Sequence, residues 1–186
     1  IDRIGLFLSW NVLEPSPQKF DGTLLDIAAV YYPPQHVKVD LTLAVVNTNH
    51  LDTPSDLHER SFSDPIVIER FKKLINFVFT KLKPEQLASL NIGSEYDKFF
   101  GTDQKKWKEF GTFYKSVRDY LKSKWPSVIL ATETTYEGIT GPSREAIKEI
   151  NKMSDRIGIS YYGVQSNADV IDPKKVNDAF DAVCSI

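Results

Sequence analysis

The sequence predicts an α/β chain of the (β/α)8 type, with about five βα units, corresponding to strands two to six. Three observations carry that expectation. Short apolar runs alternate with longer amphipathic stretches at intervals of roughly 30 to 50 residues, the rhythm of strand followed by helix. Each apolar run ends in polar and aromatic residues, and no glycine-rich phosphate loop follows any of them. Chemistry gathered at the C-terminal end of every strand suits a barrel better than a doubly wound sheet, because that face carries the active site in barrels.

The first strand is expected at Gly5 to Ser9, leading to Trp10 and Asn11, and the next at Val39 to Val46, leading to Asn47, Thr48, Asn49 and His50. Ala88 to Gly93 then runs into Ser94, Glu95, Tyr96 and Asp97, where a lone glutamate is the first charged side chain after the strand. Ser127 to Thr132 leads to Glu133, Thr134 and Tyr136, and Arg156 to Ser160 leads to Tyr161 and Tyr162. Between them, Asp64 to Leu82 places Ile68, Phe71, Leu74, Ile75 and Val78 at helical spacing, with Asp64 as cap, Pro65 in the first turn and Pro84 beyond the end. Asp103 to Lys124 repeats the pattern with Trp107, Phe110, Phe113, Tyr114, Val117 and Leu121, and Pro126 stops it. Pro142 to Met153 is a third helix, Asp172-Pro173 opens a fourth, and Leu24 to Tyr32 is a further candidate broken by Pro33-Pro34.

A complete barrel needs about 250 residues, whereas this chain has 186 and begins at Ile1 without a methionine. Three strands are therefore unaccounted for, and the expectation is one partial barrel domain over residues 1–186, as a trimmed product or a fragment. A barrel completed by another chain and a smaller α/β domain are the alternatives.

Composition excludes several classes of function. With 41% hydrophobic and 26% charged residues the chain can build one core. A net charge of −2 and a pI near 6.0 offer no basic footprint for nucleic acid, and Lys105-Lys106-Trp107-Lys108 reads as a solvated helix face. No apolar run approaches the roughly 20 residues needed to cross a bilayer. A mature secreted or cell-surface protein, its leader removed, would have the same composition. The single cysteine, Cys184, excludes an internal disulfide and reads as a buried or incidental thiol. His50, Asp52 and His58 lie in a long loop interrupted by Pro54 rather than on one helix face, so no metal or other cofactor is expected.

Aromatic residues Trp10, Tyr96, Phe99, Phe100, Tyr136, Tyr161 and Tyr162 all fall at or just past predicted strand ends. Aromatic faces pack on the C–H faces of sugar rings, while Asn47, Asn49, Asn91 and Gln165 offer partners for hydroxyls. A cleft lined in this way suits carbohydrate.

Two segments carry a family resemblance. Asn91-Ile92-Gly93-Ser94-Glu95 resembles the fourth-strand motif of clan A glycoside hydrolases, which are TIM barrels. Asp155-Arg156-Ile157-Gly158-Ile159-Ser160-Tyr161-Tyr162 is similar to the sixth-strand motif of family 53, the endo-β-1,4-galactanases. Ser9-Trp10 with Glu14-Pro15, and Val46-Asn47-Thr48-Asn49, are looser echoes. The resemblance implies a retaining hydrolase in which Glu95 is the acid/base and a seventh-strand glutamate, beyond Ile186, is the nucleophile. Such a pair stands about 5 to 5.5 Å apart across the sugar. By the same likeness Tyr161 or Tyr162 would hydrogen-bond the nucleophile or substrate. From their places at the strand ends, Trp10, Asn47, Asn49, Ser94, Tyr96, Glu133 and Tyr136 are expected to line the substrate cleft.

Departures from the pattern are Ser94, where the family has an asparagine, and the absence of the family's second-strand arginine from Gly5 to Trp10. Thr132-Glu133-Thr134-Thr135-Tyr136 resembles the family's seventh-strand Glu-Thr-x-Tyr, but it precedes the Ser-Tyr-Tyr motif instead of following it. Glu133 is therefore expected as a substrate contact, a partner behind the reacting groups, or a surface carboxylate. The functional expectations are a β-glycan hydrolase, a carbohydrate-binding barrel without catalysis, and a barrel-like domain of unrelated function, since fold alone does not fix activity.

Overall fold

The computed structural model describes residues 2–162 and 172–184; Gln165 and the side chain of Cys184 lie outside the described residues. The described residues contain six strands: β1 (Arg3–Ser9), β2 (Lys38–Asn47), β3 (His50–Leu51), β4 (Leu87–Ser94), β5 (Leu130–Thr135) and β6 (Arg156–Ser160). They alternate with α1 (Trp10–Leu13), α2 (Thr23–Tyr31), α3 (Pro65–Lys81), α4 (Tyr96–Phe100), α5 (Gln104–Lys124), α6 (Tyr136–Thr140), α7 (Arg144–Asn151) and α8 (Pro173–Cys184). The sheet order is β1-β2-β4-β5-β6, every neighbouring pair parallel, with β3 folded back antiparallel on the end of β2. This is the TIM-barrel-type α/β arrangement, present as five parallel strands with β1 and β6 at the edges among the described residues.

Strand periodicity separates two faces. Register pairs Leu41 with Leu90 and Leu43 with Ile92 on the outer face, and Asp40 with Ser89 and Thr42 with Asn91 on the inner face. The outer row is fully buried and meets Phe71, Leu74 and Ile75 of α3 and Phe110, Phe113 and Tyr114 of α5. Phe71 and Phe113 touch across the two helices, their ring centroids 5.2 Å apart, with Phe71 5.0 Å from Trp10 and Phe113 5.5 Å from Phe62. Each such side chain contributes roughly 1.5–3 kcal/mol by leaving water.

Local signals explain the helix starts. Asp64 Oδ1 accepts the Ile66 N–H at 2.8 Å ahead of α3, and Asp103 Oδ1 accepts the N–H groups of Lys105 and Lys106 ahead of α5. One buried charge network ties loops to helices. Glu14, 1% exposed, accepts from Trp10 Nε1 at 2.7 Å, from the Gln18 N–H at 2.6 Å and from Arg70 Nη2 at 2.8 Å, while Arg70 also pairs with Asp56.

Sequence and structure differ in two places that matter for the site. The fourth expected strand starts at Leu130, not Ser127, because Val128 N–H still closes a turn on Trp125 O and pairing begins only at Leu130. It also runs on to Thr135, paired with β6, so Glu133 lies inside β5 rather than past its end. Helices α1, α4 and α6 occupy the strand exits where loops were expected, each opening on an aromatic residue.

Candidate active site

Glu95 follows β4 directly, in a turn that the backbone makes at some cost. Along β2 and β4 the pairing moves from Leu43 with Ile92 to Asn47 with Ser94, so four steps of β2 match two of β4 and the end of β2 is carried up to the exit of β4. Gly93 permits the approach. Its φ is +83°, and a Cβ there would stand 3.3 Å from the Val46 carbonyl oxygen. Glu95 itself has φ 49° and Thr48 has φ 53°, left-handed values that cost non-glycine residues on the order of 1–3 kcal/mol each. Neighbouring strands hold both residues in place: Thr48 N–H donates to Ser94 O at 2.9 Å, and Glu95 N–H donates to Glu133 O at 3.0 Å.

The Glu95 side chain is 6% exposed and engaged at both oxygens. Thr48 Oγ1 donates to Oε2 at 3.0 Å, and Tyr162 Oη donates to Oε1 at 2.6 Å. The hydrogen bond to Glu95, and then the charge of that carboxylate, hold the Tyr162 phenol above its usual pKa, although the ring is 60% exposed. Glu133 stands half-buried in the inner row of β5 and accepts from Ser160 Oγ at 3.3 Å. Asp97, buried at the start of α4, accepts the N–H of Thr135 at 2.9 Å and its hydroxyl at 2.7 Å. Gly138 is required beside it, since a Cβ there would lie 2.4 Å from Asp97 Oδ2. Below this mouth an open cavity of about 290 Å³ is lined by Asp40, Ser89, Asn91, Glu133 and Arg156, with Arg156 Nη1 donating to Asp40 at 3.2 Å.

Of the other expected cleft residues, Asn47 is half-buried beside Thr48, Asn49 is exposed at the turn, and Ser94 is buried with its carbonyl taken by Thr48. Trp10 and Tyr96 do not face the cleft. Both are 0% exposed: Trp10 packs on Phe71 and holds Glu14, and Tyr96 lies among Phe100, Trp107 and Phe110. Helices α1 and α4 begin on these two residues, which turns their rings into the outer layer. Tyr136 and Tyr161 meet edge to face at 5.2 Å and line a cavity of about 240 Å³ with Ile157, Ile159, Val176 and Phe180, on the outer side of β6. Phe100 is buried, and Phe99 lies beneath the Lys106 ammonium. Tyr162 is thus the expected aromatic residue that reaches Glu95.

His50 pairs with Asn47 in the β2–β3 hairpin, Asp52 accepts from Ser9 Oγ at 2.6 Å, and His58 Nε2 bonds the Thr53 carbonyl at 2.9 Å. Among the described residues no three His, Cys, Asp or Glu side chains converge as a ligand set, and no helix is long and apolar enough to cross a membrane. Sequence reading missed Thr48. Its signal was a threonine in a two-residue hairpin turn, where glycine, asparagine or aspartate is favoured.

A nearly buried carboxyl group flanked by hydroxyl donors at the end of a barrel strand can exchange a proton with a bound oxygen. No protein-family model and no curated protein sequence matches the chain. Solved structures do. A β-glucosidase from Exiguobacterium marinum matches with a TM-score of 0.68 at 10% identity, over 100% of this chain and 61% of that one. A xylanase from Cellvibrio japonicus, in complex with xylopentaose, matches with a TM-score of 0.65 at 14% identity, over 97% of this chain and 39% of its own. The exo-β-1,4-mannosidase Op5Man5 from Opitutaceae bacterium strain TAV5 gives 0.62 at 18% identity, over 74% and 26%. The chain therefore spans about a quarter to three fifths of the length of these three proteins, and at such identities the likeness is one of fold. By architecture it is a TIM-barrel-type α/β chain of the kind on which these glycoside hydrolases are built.

Proposed function

We propose that the protein is a retaining hydrolase of β-linked polysaccharide in which Glu95 is the general acid/base. The observation that carries this reading is the Glu95 carboxyl group at the exit of β4, nearly buried and gripped by Thr48 and Tyr162. In the first step Glu95 gives its proton to the glycosidic oxygen as the C1–O bond breaks, while a partner carboxylate attacks C1 and forms a covalent glycosyl ester. In the second, Glu95 takes a proton from water, which cleaves the ester and releases the sugar. The partner is assigned by resemblance to a seventh strand outside these 186 residues, which themselves form one partial barrel domain over 1–186. Asn47, Asn49, Ser94, Glu133 and Tyr162 are the proposed substrate contacts, and the inner floor of Asp40, Asn91 and Arg156 supports a polar ligand.

The likeness of Asp155 to Tyr162 to the galactanase motif favours β-1,4-galactan as substrate, and secretion or display at the cell surface accords with a polymeric substrate. Support at the level of fold comes from the glycoside hydrolases named above. The test is reducing-sugar release from a polysaccharide panel including β-1,4-galactan, by the full-length gene product, its Glu95→Gln variant and the 186-residue chain. Activity confined to the full-length wild type, with a loss of about 10²-fold or more on substitution, is the expected result. Undiminished activity in Glu95→Gln would overturn the role of Glu95.

Ser94 in the place of the family asparagine, and the lack of an arginine on β1 beyond Arg3, favour a second reading: a barrel that binds carbohydrate without cleaving it. The same panel separates the two, since that reading requires binding with no release of reducing ends.

A further inference from the structure

We propose that Thr48 is a positioning residue for Glu95, anchoring Oε2 so that Oε1 is the oxygen left to exchange a proton with substrate. The inference rests on the acid/base reading of Glu95. Thr48 and Asn49 form the two-residue turn between Asn47 and His50, which face each other across the β2–β3 hairpin. A β-branched residue with φ 53° is a genuine outlier in such a turn, where glycine would relieve the strain. Strain of this kind persists where the surroundings over-determine it, and it clusters at working sites. Here the surroundings are on view. The four-for-two register lifts the turn to the exit of β4, and the Thr48 N–H is fixed on Ser94 O at 2.9 Å. That leaves the hydroxyl 3.0 Å from Glu95 Oε2. Glycine would satisfy the backbone but supply no donor to the carboxylate.

The two donors differ in how they are held. Thr48 is half-buried and fixed through its own backbone, whereas the Tyr162 ring is 60% exposed. A sugar oxygen arriving at the mouth can therefore displace the phenol from Oε1, while Oε2 stays tied to Thr48. With one oxygen anchored, the other keeps its direction through both proton transfers, and orientation of this kind is worth roughly one to two orders of magnitude in rate.

Three variants test the assignment: Thr48→Gly, Thr48→Val and Thr48→Ser, each in the full-length gene product. Thr48→Gly is expected to match or exceed the wild type in urea midpoint, because the turn relaxes, yet to lose roughly ten- to hundredfold in kcat with little change in KM. Thr48→Val should lose activity similarly, and Thr48→Ser should stay within about threefold of the wild type because it keeps the hydroxyl. Side-chain scalar couplings of Glu95, read by NMR without substrate in a Tyr162→Phe background that removes the other donor, should report one rotamer with Thr48 intact and in Thr48→Ser, and averaging in Thr48→Gly. Unchanged couplings in Thr48→Gly, or a serine variant that falls as far as the glycine variant, would overturn the proposal. If no form of the protein releases sugar, the hydrolase reading fails, and the couplings alone decide whether Thr48 orients Glu95.

Discussion

On the outer face of the sheet, Leu41, Leu43, Leu90 and Ile92 meet Phe71, Phe110 and Phe113 with essentially no exposure. One residue along in the same strands, the inner face carries Asp40, Thr42, Ser89 and Asn91, with Glu133, Arg156 and Ser160 beyond them. The difference shows a division of labour imposed by a period of two. Dry, non-directional packing holds the strands in register from outside, which leaves the inner side chains free to be chosen for hydrogen bonding rather than volume. Polar groups on that face are paired at long sequence separation, as in Arg156 with Asp40, and these pairs are part-exposed.

The sharpest way to break this comparison is to remove mass from each face in turn. Phe110→Ala, which leaves a hole beside Tyr96, Phe100 and Phe113, is expected to cost about 3–5 kcal/mol in urea unfolding. A loss below about 1 kcal/mol would mean that the outer layer does not carry the fold. An intermediate effect is expected at the mouth, where the Tyr162 phenol is held above its usual pKa by its bond to Glu95 and then by that group's charge. Replacing Glu95 by glutamine removes the anionic acceptor, so the phenol should lose its proton at lower pH, nearer its ordinary value. Difference absorbance at 295 nm between the Glu95→Gln protein and its Glu95→Gln, Tyr162→Phe double variant, against the corresponding pair with Glu95 intact, reads this directly. An unshifted titration would dissolve the pair. The smallest effect belongs to the inner floor: Arg156→Met, which breaks a part-exposed ion pair, should change stability by about 0–1 kcal/mol.

The outer layer was the legible part of the sequence. Ile68, Phe71, Leu74, Ile75 and Val78 spell one helical face, and Asp64-Pro65 marks its start, because caps and periodicity are local properties of the chain. Glu95 was legible as well, as the first charge after an apolar strand. What could not be read was direction at the strand exits. Trp10, Tyr96 and Tyr136 stand beside cleft positions in the chain, yet each starts a helix of four or five residues that rotates its ring away. Thr48 stayed hidden for a related reason. Its turn closes a hairpin whose return strand, His50–Leu51, is too short to leave a periodic trace. Its partner oxygen lies 47 positions further along the chain. Glu133 fell on the wrong side of a boundary because Thr134 and Thr135, polar residues that look like a strand exit, are still paired with β6.

The exit turns also grip one another in sequence around the mouth. Ser9 reaches Asp52, the Thr48 N–H reaches Ser94, the Glu95 N–H reaches Glu133, and Thr135 reaches back to Asp97. A βα unit of this chain therefore does not end at its own loop, because part of what shapes that loop is supplied by the unit alongside. Recombination or grafting that exchanges a single unit would carry in one half of each of these joints and leave the other half behind. Exchanges cut between the outer helices and spanning two adjacent units would keep the joint within the pair intact, so the smallest heritable module of the mouth is a pair of strands rather than one.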